Sequence, residues 1–168
     1  MYKIVVLDST HERAKFSCGN ESLDNYLKTQ VSQDVKRKLS SCFVIIDKEN
    51  TVKGYYTLSS ASIPREDLPL SISKKLPKAY ENPPATLLGR LAVDTSLTGQ
   101  GIGGSLLTEA LERSYYQSEL IGSMAVIVDP IDDNAKRFYE KYGFLQLDSG
   151  KMFLEMKQIK KLIEGNSK

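Results

Sequence analysis

The sequence predicts an α/β fold (α+β in its mixed sheet): one domain with a central mixed β-sheet flanked by helices. Three observations carry it. Short apolar, β-branched runs alternate with segments whose apolar residues recur every three or four positions. Two early strands follow one another with only a turn between them, so the sheet begins as a meander. Later the order becomes strand, helix, strand, helix, strand, which demands a parallel crossover. With 168 residues, 40% of them hydrophobic and 26% charged, the chain can bury a core without disulfides or metals.

Residues 2–7 and Cys42-Phe43-Val44-Ile45-Ile46 are apolar and β-branched, and Val52 to Leu58 carries Tyr55, Tyr56 and Thr57, so all three segments read as strands. Between the first two, Leu23, Tyr26, Leu27, Val31, Val35 and Leu39 recur at spacings of three and four. They predict a helix capped by Asn20, with its apolar stripe facing a core. Lys28, Lys36 and Lys38 fall off that stripe. Residues 59–86 hold Pro64, Pro69, Pro77, Pro83 and Pro84 and are expected to form an insertion or lid, with short helical turns near 66–70 and 73–76. A strand over 86–93, a helix from Gly101 to about Tyr116, a strand over 124–128, a helix over 133–142 and a strand over 152–156 complete a domain expected to span 1–158. The polar tail 159–168 is expected to fray.

No apolar run approaches the length of a membrane-spanning helix, and Met1 leads directly into a strand-like segment rather than a signal peptide. A cytoplasmic protein is the expectation. Cys18 and Cys42 lack metal-ligand spacing and a nearby His, so they read as reduced thiols, with no metal site. The net charge of +2 does not by itself mark a nucleic-acid binder. The cations are nevertheless grouped: Lys28, Lys36, Arg37 and Lys38 in one segment, Arg65, Lys74, Lys75, Lys78 and Arg90 in another. From charge alone, the favoured reading of that grouping is a solvated helix face plus a polar loop. His11 is the only histidine and has no partner suggesting a triad or metal, so a surface or local structural role is expected.

The chemistry-bearing stretch begins at Leu87-Leu88-Gly89-Arg90-Leu91-Ala92-Val93-Asp94 and runs into Gly99-Gln100-Gly101-Ile102-Gly103-Gly104. Glycines let the chain turn tightly and let a ligand touch bare backbone, while the first N–H groups of the following helix lack intrahelical acceptors at its positive end. That order predicts a phosphate or pyrophosphate site. Gly99, Gly101 and Gly104 also satisfy the dinucleotide pattern G-x-G-x-x-G, but that fingerprint sits directly after the first strand of a multi-unit βαβ domain. Here the motif lies past mid-chain, and the Gly-Lys-[Ser/Thr] of a Walker A loop is missing. A structural turn without ligand is the remaining alternative.

The second half of the pattern is Asp133-Asn134-Ala135-Lys136-Arg137-Phe138-Tyr139-Glu140-Lys141-Tyr142-Gly143-Phe144. Together the two halves resemble the GNAT superfamily of acetyl-coenzyme A-dependent N-acetyltransferases, whose signature is a valine-ended strand, an Arg/Gln-x-x-Gly-x-Gly/Ala loop and a late Asn-Ala-x-x-Phe-Tyr-x-x-x-Gly-Phe helix. Thr98 departs from it, standing where the family usually has Arg or Gln. The front half is similar to the acetyltransferase toxins of bacterial type II toxin–antitoxin modules in Phe16-Ser17-Cys18-Gly19-Asn20-Glu21-Ser22-Leu23-Asp24-Asn25-Tyr26-Leu27, in Gln30 to Asp34, in Gly54 to Ser59 and in Leu88 to Asp94.

The resemblance implies a toxin that acetylates the α-amino group of aminoacyl-tRNA, blocks translation and is held inactive by a small antitoxin with a ribbon-helix-helix part. A homodimer stays open. It implies acetyl-CoA as cosubstrate, held by Thr98, Gly99, Gln100, Gly101, Ile102, Gly103 and Gly104, by the main chain of Leu91, Ala92 and Val93, and by Asn134, which could equally support a helix cap. Tyr139 is the implied general acid, because a phenol stays protonated at neutral pH, with Tyr142 as the fallback. The other reading of Phe138, Tyr139 and Tyr142 is an aromatic patch packed on the sheet. Asp94 reads as a structural residue of the turn, and no carboxylate stands out as a base for the incoming amine. Lys28, Lys36, Arg37 and Arg90 are the residues expected to meet tRNA phosphates. The rival functions are a GNAT enzyme acting on a small-molecule, protein or peptide amine, and a non-catalytic binding module.

Overall fold

Lys3–Val6 (β1), Ser41–Ile46 (β2) and Val52–Ser62 (β3) form the antiparallel meander expected from their β-branched runs. The structure, a computed structural model, describes residues 1–166. After the meander come Pro84–Val93 (β4), Ala125–Val128 (β5), Leu145–Gln146 (β6) and Met152–Glu155 (β7), and the seven strands form one mixed sheet in the order β1-β2-β3-β4-β5-β7-β6. The α/β class with a central mixed sheet is therefore as the sequence predicts. The chain divides into two compact units, Met1–Ser59 with Leu88–Ala110, and Ser60–Leu87 with the chain from Leu111 onward.

In the first unit, Glu21–Asn25 (α1) and Val31–Lys36 (α2) are joined by a π-turn over Tyr26–Gln30. Asn20 caps α1 as expected, its side chain accepting the Leu23 N–H at 3.0 Å. The π-turn was not legible. Its cause is the Val31 N–H, which donates to Tyr26 five residues back, while the Leu27 carbonyl accepts from Arg13 Nη1 at 3.0 Å. The stripe then packs with Phe16, Val44, Val52, Tyr55 and Ala92. Leu27 and Val31 are both 0% exposed, and burying each contributes about 1.5–3 kcal/mol. Leu39, expected on that stripe, is exposed instead because the helix has ended at Lys36 and Lys38 turns the chain with a φ of 62°.

In the second unit, β4 runs parallel to β5 at Thr86↔Val126 and Leu87↔Ile127, and β5 pairs antiparallel with β7. Ile63, Leu68, Ala85, Ala125, Ile127, Leu147 and Phe153 form its core. The lid expected over 59–86 is narrower, because β3 extends to Ser62 and β4 begins at Pro84. Its interior holds a 3₁₀ turn at Arg65–Asp67 and Leu70–Ser73 (α3). The Arg65 guanidinium organises the segment by donating to the carbonyls of Ser73, Leu76, Pro77 and Tyr80 at 2.7–3.0 Å, so this cation of the basic grouping is used internally.

Two helices of the late half match expectation closely: Ile102–Ser118 (α4) and Asp133–Lys141 (α5). The expected frayed tail does not. Met156–Asn166 forms α6, whose Met156 and Ile159 are buried and whose Lys160 and Glu164 pair at 4.0 Å one turn apart. The apolar spacing 156, 159, 163 supplies an inward stripe that the lysines obscure in the sequence. Residues 167 and 168 of that expected tail lie outside the described residues.

Candidate functional site

The glycine turn is built on Asp94. From the end of β4 its carboxylate caps the 3₁₀ turn Thr95–Leu97, accepting the Ser96 N–H at 2.9 Å, the Ser96 hydroxyl at 2.7 Å and the Ser17 N–H at 3.1 Å. Burial pushes the carboxyl up, but these hydrogen bonds outweigh it and hold the group below the usual carboxylate range. Leu97, 5% exposed, anchors the turn from beneath. Thr98, Gly99, Gln100 and Gly101 are all exposed, and Ile102, Gly103 and Gly104 open α4.

Gly99 and Gly101 have φ of +82° and +75°, a left-handed conformation that favours glycine, and a Cβ on either would meet nothing within 4 Å. Packing therefore does not demand these glycines; open space above bare backbone remains at the N-terminus of a 17-residue helix. Gly54 is the contrast, since a Cβ there would lie 2.8 Å from Ile45 and 2.9 Å from Leu106. The turn thus fits an anionic ligand that must approach the main chain. Leu91, Ala92 and Val93 follow, in β4, the residues paired with β5; Ala92 is buried in the first core while Leu91 and Val93 are half-buried.

Tyr139 lies on α5, its ring packed between Phe138 and Phe144 at centroid distances of 5.3 Å each. The aromatic-patch reading is thus correct for the ring. The hydroxyl is different: among the described residues it makes no hydrogen bond, yet no buried side-chain polar atom there goes unpaired. The hydroxyl is therefore a part of this residue, 8% exposed in all, that solvent reaches. Burial of the ring pushes the phenol up to about 12, so it stays a donor throughout the neutral range. Tyr142 ends α5 and lines a separate cavity of about 340 Å³ with Leu145, Phe153, Gln158 and Leu162.

Asn134 is not the cap. Asp132 caps α5, accepting the Ala135 N–H at 2.8 Å, and Asn134 sits exposed in the first turn, accepting from Arg137. The cap falls two residues earlier because Asp132 is the last residue with extended backbone, a position that two adjacent aspartates leave ambiguous in the sequence.

Of the four expected tRNA-binding cations, Lys28, Lys36 and Arg37 are exposed on the π-turn and at the end of α2. None of these three lines the cleft that Arg90 enters. That open cleft, about 470 Å³, is lined by Glu21, Ser22, Asn25, Tyr26, Thr29, Gln30 and Arg90. Arg90 places its Cζ 3.4 Å above the centroid of the Tyr26 ring, and the Tyr26 hydroxyl donates to Asp34 at 2.8 Å. Burial and Asp34 together push that phenol up to about 12, although Arg90 opposes them. The sequence reading missed Tyr26 and Asp34, since a tyrosine within a leucine and valine stripe reads only as core.

His11 is buried rather than at the surface, its Nδ1 accepting the Asp8 N–H at 3.0 Å, which is the local role expected. Cys18 and Cys42 are free, and burial pushes their thiols up to about 11 and about 12, so neither is a ready nucleophile. Among the described residues no group of three or more His, Cys, Asp or Glu could hold a metal, and no helix is long and apolar enough to cross a membrane.

The turn, the late aromatic helix and the mixed sheet together define an acyl-coenzyme A-dependent acetyltransferase class. The domain family described as Acetyltransferase (GNAT) matches residues 38–146, and the chain belongs to that family. It is 35% identical over 129 residues to the tRNA-acetylating toxin of Mycobacterium tuberculosis (strain ATCC 25618 / H37Rv), covering 77% of this chain and 75% of the relative. Among solved structures it is similar to AtaT complexed with acetyl-methionyl-tRNAfMet, with a TM-score of 0.90 and 32% identity over 97% of this chain and 99% of the other. It is also similar to a tyrosine-to-phenylalanine variant of AtaT bound to the C-terminus of the antitoxin AtaR and acetyl-CoA, with a TM-score of 0.82 and 28% identity over 96% of this chain and 98% of the other.

Proposed function

We propose that this protein transfers the acetyl group of acetyl-CoA to the α-amino group of aminoacyl-tRNA and so blocks translation. The observation that carries the reading is similarity along nearly the whole chain to AtaT, solved with an acetylated aminoacyl-tRNA, in a protein whose glycine turn presents bare backbone in open space.

Bound acetyl-CoA supplies an acetyl group activated as a thioester. The N–H groups from Gly99 to Gly104 hold its pyrophosphate, with Thr98 and Gln100 flanking the cradle. The main chain of Leu91, Ala92 and Val93 receives the pantetheine arm and orients the carbonyl, and Asn134 adds a side-chain contact. The neutral amine forms the new C–N bond and releases its proton to water. As the C–S bond breaks, the Tyr139 hydroxyl gives its proton to sulfur and recovers one from solvent. An aminoacyl ester amine is less basic than a lysine, so a dedicated base is not required. Lys28, Lys36, Arg37 and Arg90 bind tRNA phosphates without reading sequence.

An enzyme on this substrate works in the cytoplasm, where charged tRNA is used. Its partner is a small antitoxin with a ribbon-helix-helix part, and a homodimer is compatible with the reading. A cell-free translation reaction tests the proposal. The protein should arrest it only when acetyl-CoA is present; arrest without acetyl-CoA, or acetylation confined to free amines or peptides, would replace the reading with one of its rivals.

A further inference from the structure

Arg90 stands on the core face of β4, between Leu88 at 2% exposure and Ala92 at 5%. A guanidinium in that place ordinarily has a carboxylate partner, yet among the described residues the Arg90 side chain makes neither an ion pair nor a hydrogen bond. What it has is the Tyr26 ring, directly beneath its Cζ at 3.4 Å. That ring cannot shift freely. Its hydroxyl is tied to Asp34 at 2.8 Å, the ring stacks with Tyr55 at 6.4 Å and 18°, and Tyr55 is itself anchored to the Leu23 carbonyl at 2.7 Å. The π-turn begins at Tyr26, which also lies on the stripe of Ser22, Asn25, Thr29 and Gln30 that walls the polar cleft.

A guanidinium laid flat on an aromatic face keeps its N–H donors in the ring-parallel plane, so they point sideways. With no protein acceptor, those donors are left for an acceptor in the open cleft. The planar fork matches two oxygens of a phosphodiester, whereas a free Arg side chain would first have to give up its rotamer freedom.

We propose that Tyr26 is a positioning residue for the nucleic-acid substrate: its ring, wedged by Asp34 and Tyr55, holds the Arg90 guanidinium pre-oriented to grip one phosphodiester in this cleft. The inference rests on the tRNA reading above and deepens it by dividing the cations into two kinds. Lys28, Lys36 and Arg37 are mobile point charges, while Arg90 is a fixed fork.

The test is steady-state kinetics with charged tRNA and acetyl-CoA. If wild-type protein leaves charged tRNA unmodified, the function reading fails before the inference is reached. Given wild-type activity, Tyr26→Leu and Arg90→Gln should each raise KM for charged tRNA about tenfold, the worth of one charged hydrogen-bonded contact, with kcat and the KM for acetyl-CoA little changed. Arg90→Gln should also reduce the salt slope of log affinity by about 0.7–0.9, Tyr26→Leu, which keeps the charge, should change it less, and in KM the double variant should do no worse than Arg90→Gln. Tyr26→Phe, which keeps the ring and its stacking with Tyr55 but loses the tie to Asp34, should raise KM much less than Tyr26→Leu. Arg90→Lys leaves the core intact should Tyr26→Leu fail to fold; it keeps the charge but loses the fork, and should resemble Arg90→Gln in KM though not in salt slope. Full activity of Arg90→Lys, additive losses in the double variant, or Tyr26→Phe as defective as Tyr26→Leu would overturn the platform role.

Discussion

The Asp94 carboxylate accepts the Ser17 amide at 3.1 Å, while the Thr95 amide returns a hydrogen bond to the Ser17 carbonyl at 2.8 Å. This reciprocal clamp fixes the turn that launches the glycine loop against the segment that leads into α1. Because Asp94 also takes two hydrogen bonds from Ser96, Asp94→Asn would set an amide donor against existing donors and should cost about 1–3 kcal/mol. The sign of its pH dependence follows from its lowered pKa. The stabilisation is complete above the unfolded value of about 3.9 and is lost as pH falls through the lower folded value. Urea unfolding should therefore separate wild type from Asp94→Asn at pH 7, and the gap should close towards pH 2. A gap independent of pH would contradict the charged role of Asp94.

Gly101→Val should weaken acetyl-CoA binding: its φ of +75° strains the exposed loop locally, but the space a side chain would enter is free of protein, so the core is spared. Gly54→Ala should do the reverse, because its Cβ would press on Ile45, Leu106 and the Ala92 carbonyl. Titration calorimetry and thermal unfolding run on both variants check the pair. Wild-type coenzyme affinity in Gly101→Val would remove the site from this loop.

The two glycine variants also mark what the sequence could disclose. Gly99 to Gly104 were legible because an anion cradle has a local signature: strand end, glycines, helix start. The strands and α4 were legible through apolar period. Tyr26 under Arg90 was not, because a ring that packs in the core and also carries a cation has the same spacing as plain core. Nor was α6, where Lys157 and Gln158 separate Met156 from Ile159 and two more lysines follow, or β6, whose two residues are too short to show alternation. Arg65 has the sequence pattern of one more surface cation, because the four carbonyls it binds, from Ser73 to Tyr80, lie in a proline-rich segment without period.

Tyr139→Phe should keep the aromatic packing with Phe138 and Phe144, because the hydroxyl it removes has no hydrogen-bond partner among the described residues. Unfolding temperature and coenzyme affinity should stay as in wild type, while kcat falls by about 10²–10⁴. With the phenol pushed up to about 12, wild-type kcat should show no loss from Tyr139 ionisation below about pH 10. An unchanged kcat in the variant would move the proton donor to Tyr142 or solvent.

Charge reversal at Lys36 and Arg37, both exposed at the end of α2, should abolish tRNA acetylation and growth inhibition while sparing coenzyme binding. Neutralising either one should lower the salt slope of log affinity by about 0.7–0.9 and weaken different tRNAs alike. Selective loss with one tRNA species would instead mean that these side chains read sequence.

The central claim is the identity of the acceptor, and the most direct measurement follows labelled acetyl from acetyl-CoA into total charged tRNA, with matched deacylated tRNA beside it. The account predicts label on charged tRNA alone, released on nuclease digestion as an aminoacyl adenosine acetylated on its α-nitrogen. Label on deacylated tRNA, or none on any charged tRNA at low salt, would contradict it and leave a GNAT enzyme acting on a small or peptide amine.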